Sequence, residues 1–280
     1  MNAACANQVG LTVFCARAGD HNALAMAGAI SLGCALSVRL GIPAETIGEP
    51  DTALNAAWGR ELAMAVPALS ALAEHLDTVF AHGLAPLTAM NRCAASLATL
   101  PVVMRHRPDA CVVWLDAHGD LNTPQTTLTG YLGGMSLAGP GGLWHSGLGN
   151  GLPLANIVLV GARVLDPAEQ MLIKSGRVKL IPRNDNHLSE LRNAVGETPV
   201  YIHIDCDVLE PGIVPTDYRV PGGFTLAELH GICEVLAGNE LVGLEIAEFE
   251  DTWHEGGPRV SPDPLLDALD PVISRLGEKA

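Results

Sequence analysis

Two short acidic runs carry the residues best suited to chemistry: Asp116-Ala117-His118-Gly119-Asp120 and Asp205-Cys206-Asp207. Each follows an unbroken apolar run, CVVWL at Cys111–Leu115 and VYIHI over 200–204. A third apolar run, LVGL, leads into Glu245-Ile246-Ala247-Glu248. So many carboxylates in one partly buried crevice would repel one another and drift toward protonation. Divalent cations remove that cost, since two of them set four positive charges against Asp116, Asp120, Asp205 and Asp207. An oxygen-rich set with one or two softer ligands suits Mn2+ better than structural Zn2+. A pair of metals can also acidify a shared water and aim it at an electrophilic carbon. A lone DxHxD reads equally well as a loop whose aspartates cap a helix, and DxD after a strand arises by chance. Two such groups, each at the end of an apolar strand, favour the metal reading.

Those strand ends need a frame. Strands are expected over 11–15, 87–91, 111–115, 157–160, 178–181, 200–204 and 241–246. Helices are expected over about 22–40, 94–106, 167–175, 188–195, 226–236 and 264–275. Pro67 suits the first turn of a further helix running to about Ala81. Continuous apolar runs such as CVVWL fit strands buried on both faces. Strand–helix alternation of this kind predicts an α/β fold, a mainly parallel sheet covered by helices on both faces. Ligands then bind beyond the carboxyl ends of the strands, where the acidic runs lie. No Pro/Ser/Gly linker divides the chain, so residues 1–280 read as one domain. The Gly-rich segment over 133–151 reads as a long loop, a feature that is often functional in a compact domain.

Composition narrows the function. Of 280 residues, 48% are hydrophobic and only 4% aromatic, which predicts a core of small aliphatic side chains. The net charge of −15 and the lack of any Lys/Arg cluster exclude a nucleic-acid binder and favour a cationic substrate. The apolar stretch over 24–38 is shorter than the roughly 20 residues a membrane span needs and is broken by Gly28, Ser31, Gly33 and Ser37. It reads as a core helix packed closely on a sheet. The first ten residues lack a basic leader. The cysteines (5, 15, 34, 93, 111, 206 and 233) are odd in number and form no CxxC pair, which fits a reducing cytoplasm. A homo-oligomer is compatible with all of this.

The motifs resemble those of the arginase, agmatinase and formimidoylglutamase family of ureohydrolases. WLDAHGDLNTP (114–124) resembles the family's central metal motif. HIDCDVLEPG (203–212) resembles its second, in which a Ser is usual at the position of His203 and an Asp at that of Glu210. LEIAEFED (244–251) and VGARVLDPAE (160–169) resemble the segments carrying a substrate-facing Glu and an acid that meets an α-amino group. The resemblance implies a three-layer αβα sandwich and two divalent metals. Asp116 and Asp205 would bridge the metals, Asp120 would complete one site, and His118 with Asp207 the other. It further implies that Asp120 passes on a proton, that Glu248 pairs with a guanidino group and that Asp166 meets an α-amino group. Asn122, Thr129 and Tyr131 fall in the substrate-contacting loop.

Two departures from the family pattern stand out. The family's first metal ligand is a His in a GGDH-like motif about one helix before DAHGD. Gly19-Asp20-His21 lies much too far upstream and is read as the start of the first helix. Counting back through the helix over 94–106 places Cys93 at the ligand position instead. A thiolate can hold a dication, although a lone Cys is more often a small buried hydrophobe. The second departure is Gly133, where arginases carry a proton-shuttling His. Together with TGYLGGM and GLWHSG, these departures resemble a narrower branch that acts on hydroxyarginine in D-cycloserine biosynthesis. The implied function is hydrolysis of a guanidino C–N bond, in Nω-hydroxy-L-arginine or L-arginine. Agmatine or guanidino-acid hydrolysis is one alternative, and a metal-binding protein without catalysis is another.

Overall fold

The computed structural model describes residues 8–278. Among these residues, eight strands form one sheet: β1 (Val9–Phe14), β2 (Ala44–Ile47), β3 (Ala85–Met90), β4 (Cys111–Leu115), β5 (Ile157–Val160), β6 (Lys179–Ile181), β7 (Val200–Asp205) and β8 (Leu241–Ala247). Their order is β2-β1-β3-β8-β7-β4-β5-β6, and every neighbouring pair is parallel. The helices are α1 (Leu24–Leu40), α2 (Trp58–Ala81), α3 (Ser96–His106), α4 (Pro167–Lys174), α5 (His187–Val195), α6 (Leu226–Leu236), α7 (Asp263–Ala268) and α8 (Asp270–Ile273). One apolar cluster joins a sheet face to α1, α5, α6, α7 and α8; a second joins the other face to α2 and α3. The result is the αβα sandwich expected from the alternation of patterns.

Close approach of helix to sheet explains the glycines in α1. A Cβ on Gly28 would stand 1.8 Å from the Phe249 carbonyl oxygen, and one on Gly33 2.1 Å from Val13 Cγ2. Gly28 thus seats α1 against the segment that leaves β8 and carries Glu248.

Three details differ from the sequence expectation. Pro67 lies inside α2, which begins nine residues earlier at Trp58. The proline withholds one helical hydrogen bond, but Pro67 and Ala63 are both exposed, so solvent can satisfy the freed carbonyl. The segment over 264–275 forms two short helices, with Pro271 in the first turn of α8 interrupting the run. Finally, β2 carries no apolar run. It is a half-exposed edge strand that, among the described residues, pairs with β1 alone.

Candidate functional site

Register aligns the strand ends. Leu115 of β4 pairs with Ile204 of β7, and Asp205 pairs with Ala247 of β8, so Asp116, Asp205 and Glu248 leave the sheet at one level. On the other side of β8, the Glu248 N–H donates to the Asn91 carbonyl at 3.2 Å, which brings the end of β3 alongside. Cys93 opens a single 3-10 turn, Cys93–Ala95, just beyond β3.

The chain itself orients the acids. Trp114 Nε1 donates to Asp116 Oδ2 at 2.9 Å, and the His118 N–H donates to Asp116 Oδ1 at 2.6 Å. The Ala117 N–H donates to Asp207 Oδ1 at 3.0 Å, and the Asp207 N–H to Asp205 Oδ1 at 2.7 Å. His118 Nδ1 stands 3.0 Å from Asp207 Oδ2, and Cys93 Sγ stands 3.0 Å from Asp205 Oδ2. Asp120 and Glu248 hold positive φ angles, 51° and 64°. For non-glycine residues that conformation costs about 1–3 kcal/mol each. The fold maintains it where it aims two carboxylates into the crevice.

Three sets of ligand atoms each lie within 4.8 Å of one another: Cys93, Asp116 and Asp120; Asp116, His118 and Asp207; and Cys93, Asp205 and Glu248. Asp116 is shared by the first two. Burial, reinforced by Asp116, drives the Asp120 carboxyl well above the usual range; burial and Asp207 do the same to Asp205. Burial alone would lower His118, but Asp116 and Asp207 outweigh it and push it up to about 12. Burial, with Asp205 beside it, raises the Cys93 thiol. The centre therefore retains protons that a dication would displace, and its donor set of carboxylates, one imidazole and one thiol fits divalent metals.

The remaining expected residues line the same cleft. Asn122, Thr129, Tyr131, Asp166 and Glu248 surround it with Cys93, His118, Asp120, Asp205 and Asp207. Asn122 Nδ2 donates to Asp166 Oδ2 at 2.8 Å. Glu169 ties the two loops together, accepting from the Asp166 N–H at 2.8 Å and the Leu121 N–H at 2.9 Å. Glu248 Oε1 accepts from the Cys93 N–H at 3.0 Å and Oε2 from Arg92 Nη1 at 2.6 Å.

Other residues of the site escape a reading by motif. Arg92 is fully buried, and its Nε also donates to Asp20 Oδ1 at 3.0 Å. Gly19-Asp20-His21 therefore does not serve α1, whose N-cap is Ala23; Asp20 neutralises Arg92, while His21 Nδ1 lies 3.0 Å from Asp217 Oδ2. Behind Cys93, His203 Nε2 is 3.2 Å from Sγ, and His203 Nδ1 meets Glu245 Oε1 at 2.7 Å. Ser96, Thr99 and Tyr201 donate to the same Glu245 carboxylate. The visible signals were an Arg and a His where apolar residues would suit a buried strand end.

Residues 45–257 match the model of the arginase family. The chain belongs to the arginase family. It is 42% identical over 265 residues to the N(omega)-hydroxy-L-arginine amidinohydrolase of Streptomyces lavendulae, covering 95% of this chain and 97% of that one. It is 29% identical over 231 residues to the arginase of Bacillus caldovelox, covering 77% of this chain and 73% of the relative. In fold it resembles Entamoeba histolytica arginase, with a TM-score of 0.82 at 20% identity over 95% of this chain and 97% of that one. As a family member it is a ureohydrolase, a metal-dependent hydrolase that acts on the amidine C–N bond of a guanidino substrate at a binuclear metal-binding centre. Among the described residues, no helix is long and apolar enough to cross a membrane.

Proposed function

We propose that this arginase-family chain hydrolyses Nω-hydroxy-L-arginine to hydroxyurea and L-ornithine, in preference to L-arginine. The observation that carries the reading is the pairing of Cys93 and Gly133 in a cleft that otherwise keeps the family's acids, together with 42% identity to a hydroxyarginine amidinohydrolase. Gly133 has no side chain with which to move a proton. General acid–base help is worth roughly 10²–10⁴-fold, and a substrate that needs less of it gains accordingly. An N-hydroxyl withdraws electrons from the guanidine and lowers its basicity, so more substrate is neutral and open to attack near neutral pH.

Asp116, Asp120, Asp205, Asp207, His118 and Cys93 are the residues that would hold two divalent ions, which we read as Mn2+. When bound, such ions acidify a water and stabilise developing negative charge. Glu248 keeps two carboxylate lone pairs beyond those taken by Cys93 and Arg92 and offers them to the guanidino group. Asp166, steadied by Asn122, receives the α-amino group; Thr129 and Tyr131 close the cleft's rim and wall. Asp120 accepts the proton that the attacking water gives up and delivers it to the departing amine. The cysteines among the described residues are all free, which supports a reducing, cytoplasmic setting, and the single sheet from Val9 to Ala247 supports reading the described residues as one domain.

The test is kcat/KM for Nω-hydroxy-L-arginine, L-arginine, agmatine and 4-guanidinobutyrate under matched Mn2+. Hydroxyarginine is expected to lead. A clear lead for arginine overturns the hydroxyguanidine reading, and turnover of agmatine or guanidinobutyrate alone overturns the role of Asp166.

A further inference from the structure

Gly133 does more than lack a functional group. A Cβ built on it would lie 2.4 Å from Tyr131 Cε1 and 2.8 Å from Tyr131 Cζ. The Tyr131 ring thus fills the space into which any side chain at 133 would project. The ring cannot simply retreat, because His21 stacks on it at 4.3 Å and is itself held by Asp217. Tyr218 packs against the same ring with centroids 5.8 Å apart. The ring lines the metal cleft beside Cys93 and Glu248, yet among the described residues its buried phenol oxygen has no hydrogen-bond partner. A buried hydroxyl left unpaired is costly, and in the wall of a ligand cleft it points to a partner that arrives with the ligand.

We infer that Tyr131, admitted to the cleft by Gly133, is a specificity-determining residue whose phenol O–H pairs with the N-hydroxyl oxygen of a hydroxyguanidine substrate. The inference rests on the hydroxyguanidine reading above and names the residue responsible for it. The chemistry discriminates through the proton. Burial, with the Glu248 carboxylate nearby, pushes the phenol well above the usual tyrosine range, so it stays neutral and can both donate and accept. A plain guanidinium brings only N–H donors. It can satisfy the phenol's lone pairs, but it leaves the O–H without an acceptor. A hydroxyguanidine adds the oxygen that accepts it. Sites built to hydrogen-bond a substrate hydroxyl discriminate strongly against analogues lacking it.

Tyr131→Phe keeps the ring, its stack on His21 and the fit to Gly133, and removes only the hydroxyl. Its ratio of kcat/KM for Nω-hydroxy-L-arginine over L-arginine is expected to fall by about tenfold or more, with little change in melting temperature. An unchanged ratio overturns the inference. Gly133→Ala tests the steric half without recourse to activity. It is expected to lower the melting temperature, whereas the Tyr131→Ala/Gly133→Ala pair melts no lower than Tyr131→Ala alone. A Gly133→Ala protein with wild-type melting temperature and selectivity overturns the shared-space argument. If the wild type turns over neither substrate, the proposed function fails by itself. Calorimetric binding of Nω-hydroxy-L-arginine to Mn-loaded wild type and Tyr131→Phe then judges the phenol directly. A weaker Kd in the variant supports the contact and equal values overturn it.

Discussion

His203 Nε2 stands 3.2 Å from Cys93 Sγ, on the side of the sulfur that faces the sheet interior. The imidazole cannot yield, since Trp114 stacks on it with centroids 3.4 Å apart and Glu245 holds its Nδ1. A thiol is shorter than an imidazole, so Cys93 leaves room for the His203 ring behind it. Cys93→Ala is therefore expected to lower bound metal per chain, measured by elemental analysis after dialysis with excess Mn2+. Cys93→His alone should recover little, because its ring meets His203. Cys93→His combined with His203→Ser should bind at least as much metal as the wild type. Full metal content in Cys93→Ala would make the thiol a packing residue only.

Asp116 stands in two of the three candidate ligand sets, whereas Asp207 stands in one. Asp116→Ala should consequently lose both metals and Asp207→Ala chiefly one. Asp205 reaches Cys93 through one oxygen and the Asp207 N–H through the other, so Asp205→Ala should also unload more than one site. Cobalt-loaded protein gives a second reading, since a thiolate–cobalt charge-transfer band in the near ultraviolet reports the site next to Cys93. That band should vanish in Asp116→Ala and survive in Asp207→Ala. Equal metal loss in the two variants would count against a shared Asp116.

Much of this arrangement was legible because its candidate ligands sit in contiguous runs after apolar strands. DAHGD and DCD could be found by eye, and Cys93 by counting back one helix. Arg92 could not be found that way. Its meaning depends on Asp20, 72 residues away, and on Glu248, 156 residues away, and no local pattern encodes such pairings. The inward turn of Tyr131 was equally hidden, because it follows from the vacancy at Gly133 and the His21 stack rather than from the loop's own sequence. β2 escaped because an edge strand with half-exposed residues needs no apolar run.

The Arg92 guanidinium, fully buried, neutralises Asp20 and Glu248. Removing one partner of a buried ion pair leaves uncompensated charge and costs about 3–5 kcal/mol. Arg92→Met should lose stability of that order in urea unfolding of the metal-free protein. Adding Asp20→Asn should restore part of the loss, because one orphaned charge is then gone. A loss under about 1 kcal/mol would mean that solvent or a rearranged partner takes over from Arg92.

Metal and protons compete for the same centre, and this sets opposite pH trends for the loaded and empty protein. In the metal-free fold, burial raises Asp120, Asp205 and Asp207, and it raises Glu248 to about 7 despite Arg92. His118 is raised to about 12 by Asp116 and Asp207 against the effect of burial. All five groups bind protons more tightly folded than unfolded. Each stabilises the fold fully below its unfolded pKa, about 4 for the carboxyls and 6.5 for the imidazole, and loses that contribution as pH rises through the folded value. Asp116 is lowered, burial opposing and His118 prevailing, so its own contribution fades only in acid, below the window used here. The metal-free protein should therefore melt lower at pH 8 than at pH 5. With excess Mn2+ the order should reverse, because deprotonated ligands bind metal and ligand binding stabilises in proportion to RT ln(1 + [L]/Kd). Differential scanning calorimetry at both pH values, with chelator and with metal, checks the pair of trends. A metal-free melting temperature that rises from pH 5 to pH 8 would contradict a proton-retaining centre.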